Sequence, residues 1–86
     1  PSTYKLGEWT ENQIKQFPGG LEMLKYFELE NKLHIMATKN PICGVKAMFT
    51  DMLKIADLKN SIAASTAISG VFKDHKVGDC SYIDGG

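Results

Sequence analysis

The architecture of this chain depends on FELENKLHIMA, residues 27–37, which can be read as a β-hairpin or as part of a helix. With a period of two, the stretch separates into an apolar and a polar face, the pattern of half-buried strands. The apolar face carries Phe27, Leu29, Leu33, Ile35 and Ala37, and the polar face, continued to Thr38, carries Glu28, Glu30, Lys32, His34 and Thr38, with Met36 as the exception. A three-residue loop, Glu30-Asn31-Lys32, keeps the apolar faces of both strands together. We therefore predict a hairpin, preceded by a turn of helix at 21–25.

The N-terminal segment predicts a strand followed by a short helix. Residues 2–6, STYKL, are compatible with a strand that ends at Gly7. Thr10 is placed to cap a helix, with Gln13 completing a capping box and Trp9 before the cap. The run PGG at 18–20 is expected to stop this helix.

The second half of the chain predicts one long helix and two short strands. Apolar side chains recur at helical spacing from Gly44 onward: Val45, Met48, Phe49, Met52, Ala56, Ala63 and Ala67. This helix is expected to run to about residue 68, or to break at Asn60-Ser61. Short strands are expected at 71–73 and 80–83, around a turn at Gly78-Asp79.

These elements predict one domain, residues 1–86, in the α+β class. Their order is β-α-β-β-α-β, as in ferredoxin-like two-layer sandwiches. The antiparallel sheet would have two helices on one face, and its other face would be open to solvent or to a ligand. The alternative is a mostly α protein in which residues 21–38 form one buried helix.

Composition narrows the class of partner. The chain has 86 residues, zero formal net charge and ten basic residues, all of them Lys. Arg is the side chain that grips phosphates and guanine edges with two parallel hydrogen bonds, and the Lys residues form no basic stripe. We therefore expect no nucleic-acid partner. No apolar run approaches the roughly 20 residues of a membrane span, so no transmembrane segment is predicted.

The two cysteines, Cys43 and Cys80, allow one internal disulfide. Two buried thiols are the alternative. A disulfide would indicate an oxidising compartment and a secreted protein, whereas free thiols would favour the cytoplasm.

The sequence contains no metal-site pattern. Its soft ligands are His34, Cys43, His75 and Cys80, and they lack the closely spaced pair typical of zinc sites. The final segment, FKDHKVGDCSYIDGG, lacks the acidic entrance of a calcium loop. We predict no metal ligand, no cofactor and no catalytic residue.

Residues 48–76 resemble the first helix pair of parvalbumins. The likeness is carried by ADLKNSIAAS and FKDHK, in particular by Asp57-Leu58-Lys59 and Asp74-His75-Lys76. In that family this helix pair binds no calcium. The resemblance implies a degenerate, calcium-related protein.

The start of the chain, PSTYKLGEWTENQ, is similar to the tautomerase family, in which an N-terminal proline amine is the catalytic base. This resemblance implies a small enzyme that uses Pro1. The chain has no Arg to bind a substrate carboxylate, a role that Arg usually plays in that family.

The function predicted first is a protein-interaction module without enzymatic activity. Contacts would be made by the free sheet face or by exposed aromatic side chains among Tyr4, Trp9, Tyr26 and Tyr82. A secreted toxin, inhibitor or effector and an intracellular regulator both fit this prediction, and the sequence fixes no oligomeric state.

Overall fold

The computed structural model describes residues 3–30, 33–40, 48–68 and 71–84. In these ranges the α-helices are α1 (Thr3–Lys15), α2 (Gly20–Glu30) and α3 (Leu58–Ser65). The strands are β1 (Met36–Lys39), β2 (Met48–Asp51), β3 (His75–Val77) and β4 (Cys80–Ile83). A short 3-10 helix, Met52–Lys54, follows β2. The fold is a small α+β sandwich of two layers, and the predicted fold class is confirmed.

The four strands pair in the order β2-β1-β4-β3, and every neighbouring pair is antiparallel. Ala37 lies opposite Thr50, Thr38 lies opposite Ile83, and His75 lies opposite Tyr82. Strands β3 and β4 are joined by the predicted Gly78-Asp79 turn. Gly78 has a φ of 62°, which favours glycine in a tight hairpin connection.

One core cluster fills the space between the sheet and α3. It consists of Ala37, Met52, Ala64 and Tyr82, all buried. The small side chain of Ala64 allows the backbone of α3 to lie close to the strands. The face of the sheet that carries Ala37 and Tyr82 is thereby covered by α3.

A second core cluster joins the three helices. Leu24 of α2 packs with Leu53 and Leu58, and Ile14 of α1 contacts the same group. Helix α1 also packs along α3. The helical layer is therefore held together by its own apolar contacts as well as by the sheet.

The predicted N-terminal strand is wrong, because residues 3–6 begin α1. Thr10 is not the helix cap. It lies inside α1, where its hydroxyl donates to the Leu6 carbonyl at 2.9 Å. The predicted break at Gly7 is absent because this glycine is buried where α1 meets α3. The expected stop at 18–20 is confirmed, since α1 ends at Lys15.

The predicted hairpin at 27–37 is also wrong in its first strand. Residues 27–30 are the end of α2, and β1 begins only at Met36. Helix α2 continues because Gly20 and Leu24, four residues apart, are buried on one face. Of the predicted loop, Asn31 and Lys32 lie outside the described residues.

The predicted long helix from Gly44 is wrong over residues 48–57, and residues 44–47 lie outside the described ranges. Residues 48–51 pair with β1 as a strand, and the helix proper begins at Leu58. Asp57 sets that start, because its carboxylate accepts from the Asn60 backbone N–H at 3.1 Å. The predicted strand at 71–73 lies instead at His75–Val77.

The order of elements along the chain is therefore α-α-β-β-α-β-β and differs from the expected β-α-β-β-α-β. The helix pair implied by the parvalbumin resemblance is not formed, since residues 48–51 and 75–77 are strands. No helix in the described ranges is long and apolar enough to cross a membrane.

Candidate functional site

Large apolar side chains are exposed on the first two helices and on the segment that connects them. This group, called the α1–α2 apolar residues below, consists of Leu6, Trp9, Phe17, Leu21, Met23, Tyr26 and Leu29. Leu29 is 80% exposed, Phe17 67% and Trp9 60%. Isolated exposed apolar residues are normal on proteins, but a concentration of them within one part of a small domain is typical of a contact surface.

Helix geometry explains why these side chains remain outside the core. On α2, Met23, Tyr26 and Leu29 follow one another at intervals of three residues. Residues at this spacing lie next to each other along a helix. The buried residues of α2 are Gly20 and Leu24, on a different face. Helix α2 thus carries apolar side chains on both its buried and its exposed sides.

Helices α1 and α2 together carry a net negative charge. All five Glu of the chain lie there: Glu8, Glu11, Glu22, Glu28 and Glu30. Together with Lys5, Lys15 and Lys25 they give α1 and α2 a net charge of −2, although the whole chain is neutral. The two helices that carry the α1–α2 apolar residues therefore have more carboxylates than Lys side chains, and the excess lies on α2.

The four aromatic side chains named as candidate contacts have different environments. Trp9 and Tyr26 are exposed, whereas Tyr82 is 3% exposed and belongs to the core. The ring of Tyr4 is stacked on the ring of His75, with centroids 6.3 Å apart. Phe17 and Leu29 were not among the predicted contact residues, and both are more exposed than Trp9 and Tyr26.

Among the strand residues whose side chains the structure describes, the sheet face opposite α3 has no fully exposed apolar side chain. Thr38, Ser81 and Ile83 alternate with the buried Ala37 and Tyr82 and so lie on that face. All three are half-buried. Of the two predicted contact regions, the exposed aromatics have the better structural basis.

A polar cluster joins α1, α3 and β3 around His75. The Asn60 side-chain amide donates to Asp57 Oδ1 at 2.7 Å, which turns the Asn60 oxygen toward His75. That oxygen lies 2.9 Å from His75 Nε2, which therefore acts as the donor. Burial lowers the pKa of His75, and the negative charge of Asp57 opposes this effect.

Lys59 extends this cluster on the side of α1. Its Nζ lies 5.7 Å from the centre of the Tyr4 ring. A hydrogen bond with Tyr4 is the main reason that the pKa of Lys59 is raised. The cluster thus fixes the first turn of α1 against α3 and β3, which is a structural role.

His34 and Asp51 form a second polar pair, at the end of the sheet where β2 stops. His34 Nδ1 lies 2.5 Å from Asp51 Oδ2. The Asp51 side chain is 12% exposed and the His34 side chain 60% exposed. The two residues are 17 positions apart, so no local motif indicates the pair.

The predicted cysteine pair is only half within the described ranges. Cys80 is the cysteine that lies among the described residues, and it is not a free thiol. Cys43 lies outside those residues, so the Cys43–Cys80 disulfide stays a prediction. Pro1, the predicted base of the tautomerase resemblance, also lies outside them.

In the described part of the chain, no group of three or more His, Cys, Asp or Glu side chains is arranged to hold a metal ion. His34 and His75 belong to separate polar clusters, each with its own hydrogen-bond partner. Comparisons with protein-family models, with curated proteins and with solved structures find no significant match to this chain.

Proposed function

We propose that this domain is a protein-interaction module whose contact surface is the outer side of α1 and α2. The observation that carries the proposal is the exposure of the α1–α2 apolar residues, with Trp9 60% and Leu29 80% exposed. Trp is the side chain most enriched at the energetic centres of protein interfaces. Trp9 is also the single Trp of the chain.

The partner we propose is a protein segment that presents apolar side chains flanked by Lys or Arg, such as a basic amphipathic helix. This choice is supported by the net charge of −2 on α1 and α2. Charge complementarity steers association and disfavours partners of like charge. The same charge disfavours a symmetric contact between the α1–α2 surfaces of two copies.

The proposal is tested with two synthetic helical peptides that share an apolar face of Leu. One carries Lys on its polar face and the other carries Glu. Trp9 fluorescence reports binding directly, because burial of an exposed indole shifts its emission to shorter wavelength. The Leu/Lys peptide is expected to produce a saturable shift that weakens with added salt. The Leu/Glu peptide is expected to produce none.

Matched variants distinguish binding at the α1–α2 apolar residues from nonspecific binding of the peptide elsewhere on the domain. Leu29→Ser removes the most exposed apolar side chain of α2, and Ile68→Ser removes an exposed apolar side chain outside the two helices. We expect Leu29→Ser to weaken the affinity for the Leu/Lys peptide about tenfold, or by about 1.4 kcal/mol. Ile68→Ser should leave this affinity unchanged. Equal weakening by both variants, or no shift with either peptide, would refute the proposal.

Self-association is measured on the protein alone. If a second copy covered the α1–α2 surface, Trp9 emission and the sedimentation coefficient would change together with protein concentration. That result would assign the surface to a homodimer and overturn the proposal of a basic partner.

A secreted form of this module depends on the Cys43–Cys80 disulfide. The mass of the natural protein with and without reductant tests that part separately. A gain of two hydrogen atoms on reduction supports an oxidising compartment. An unchanged mass removes the support for a secreted toxin, inhibitor or effector and leaves the interaction surface unaffected.

A further inference from the structure

We propose that His34 is a phosphoryl-acceptor site, with its Nε2 as the nucleophile and Asp51 as the residue that positions the ring. The proposal is independent of the α1–α2 surface. It depends on the 2.5 Å contact between His34 Nδ1 and Asp51 Oδ2 and on the unequal exposure of the two side chains.

The carboxylate fixes which nitrogen of the ring is reactive. The hydrogen bond from His34 holds the pKa of Asp51 below its usual value, and the nearby charge of Lys54 acts in the same direction. An ionised carboxylate can only accept, so Nδ1 carries the proton in this contact. The lone pair of the neutral ring is then on Nε2.

The His34 side chain is largely exposed, while the carboxylate is held in place. Asp51 is the last residue of β2 and is paired with Met36 of β1. Its side chain is 12% exposed, against 60% for His34. His75 is the contrasting case, because its Nε2 is occupied by the Asn60 side chain at 2.9 Å. Of the two histidines, only His34 combines an exposed ring with a carboxylate on Nδ1.

This arrangement suits transfer of a group to an exposed side chain and does not require a cavity. The lone pair of Nε2 attacks the phosphorus of a phosphoramidate or an acyl phosphate. The bond between phosphorus and the leaving nitrogen or oxygen breaks, and its electron pair departs with the amine, which takes a proton from water, or with the carboxylate. The product is a phosphoimidazolium that retains its Nδ1 proton, and the Asp51 charge stabilises the positive ring.

The choice of a phosphoryl group over a neutral acyl group is based on charge. Lys54 ends the 3-10 helix that begins directly after Asp51, so a cation lies near the dyad, and its charge also acts to lower the pKa of Asp51. A cation at this position attracts an anionic phosphoryl donor.

The test uses potassium phosphoramidate as the donor, with the full chain at neutral pH. Intact mass follows the rate of phosphate addition, and phosphorus NMR identifies the nitrogen modified. We expect an acid-labile adduct on His34 Nε2, lost in His34→Gln and retained in His75→Gln. We expect Asp51→Asn to slow labelling at least about tenfold, the usual effect of losing a residue that orients an imidazole. Asp79→Asn, in the exposed β3–β4 turn, should have no effect.

Several results would overturn the proposal. These are equal labelling of His34 and His75, an adduct on Nδ1, or equal rates for Asp51→Asn and Asp79→Asn. Circular dichroism shows whether Asp51→Asn folds. If it does not, nitrogen NMR of the unmodified protein shows which ring nitrogen of His34 carries the proton. A His34 ring protonated on Nδ1 supports the proposal, and a ring protonated on Nε2 contradicts it.

Discussion

Gly7 of α1 lies directly against the backbone carbonyl of Lys59 in α3. A Cβ atom built on Gly7 would be 2.1 Å from the Lys59 oxygen and 2.8 Å from its carbon. These distances leave no room for a side chain. The close approach of the two helices therefore depends on glycine at this position, and it brings the first turn of α1 beside α3 and β3.

Gly7→Ala is expected to destabilise the fold by about 2 kcal/mol, because α1 must move away from α3 and the gain in helix propensity recovers only part of the loss. Urea denaturation measures the change. Asn12→Ala is the control, because Asn12 is exposed on the same helix and its replacement should change stability by less than about 0.5 kcal/mol. An alanine at position 7 that costs no more than the control would show that the helices do not depend on this contact.

The stability of the fold should decrease with acidification through His75. Burial lowers the pKa of this ring below its ordinary 6.5, so the unfolded chain binds a proton before the folded chain does. The contribution of His75 to the free energy of unfolding is fully present above pH 6.5. It is lost as the pH falls from 6.5 toward the pKa of the ring in the folded state. The groups around the ring are Asp57, Lys59 and Tyr4. We expect the urea midpoint to fall as the pH is lowered from about 6.5.

His75→Gln should flatten that pH dependence, because the titrating group is gone. The same series with Tyr4→Leu tests whether the stacked ring contributes to burial, and its pH dependence should be weaker than that of the unmodified protein. An equally steep fall in His75→Gln would assign the acid sensitivity to other groups.

Asp57→Ala is expected to cost about 1 kcal/mol, the usual value for loss of an N-cap. Asp57 accepts both the backbone N–H and the side-chain amide of Asn60, at 3.1 and 2.7 Å. Thermal denaturation checks the change. Asp57→Asn retains an oxygen that can accept the Asn60 N–H and should lose less than half as much. Similar losses for the two variants would indicate that charge, and not capping, is the contribution.

Glu28 connects α2 to the start of α3, because its Oε1 accepts from the Leu58 backbone N–H at 3.2 Å. Removal of this acceptor leaves a partly buried donor without its partner, at a cost of about 1 kcal/mol. Glu28→Ala should show that loss in urea denaturation. Glu8→Ala, on the exposed side of α1, should change stability by less than about 0.5 kcal/mol. If the two substitutions had equal effects, the hydrogen bond would carry no net stability.

The sequence predicted the class of the fold and several of its local stops, but not the order of its elements. The PGG run and the Gly78-Asp79 turn were informative because each requires a particular backbone conformation whatever its surroundings. Gly7 was misleading for the opposite reason. It is required by a contact with Lys59, a residue distant in the sequence, and the local pattern reads it as a break.

The alternation in residues 27–37 led to a wrong prediction of a first strand because α2 has apolar residues on more than one face. When residues 21–36 are read as one helix, their apolar side chains are scattered around its whole circumference, which argues against a buried helix; the structure agrees in part, since Leu24 is buried and Leu29 is exposed. That scatter was in fact the signal of an exposed apolar surface. The His34–Asp51 pair could not be predicted, because its partners meet only when β2 pairs with β1.

Amide NMR shifts during titration with the Leu/Lys peptide show directly whether α1 and α2 form the binding surface. We expect the perturbed amides to cluster along α1 and α2 around Trp9 and Leu29, while those of β3 and β4 remain unchanged. Perturbations concentrated on the sheet or around His34 and Asp51, with the two helices unaffected, would contradict it.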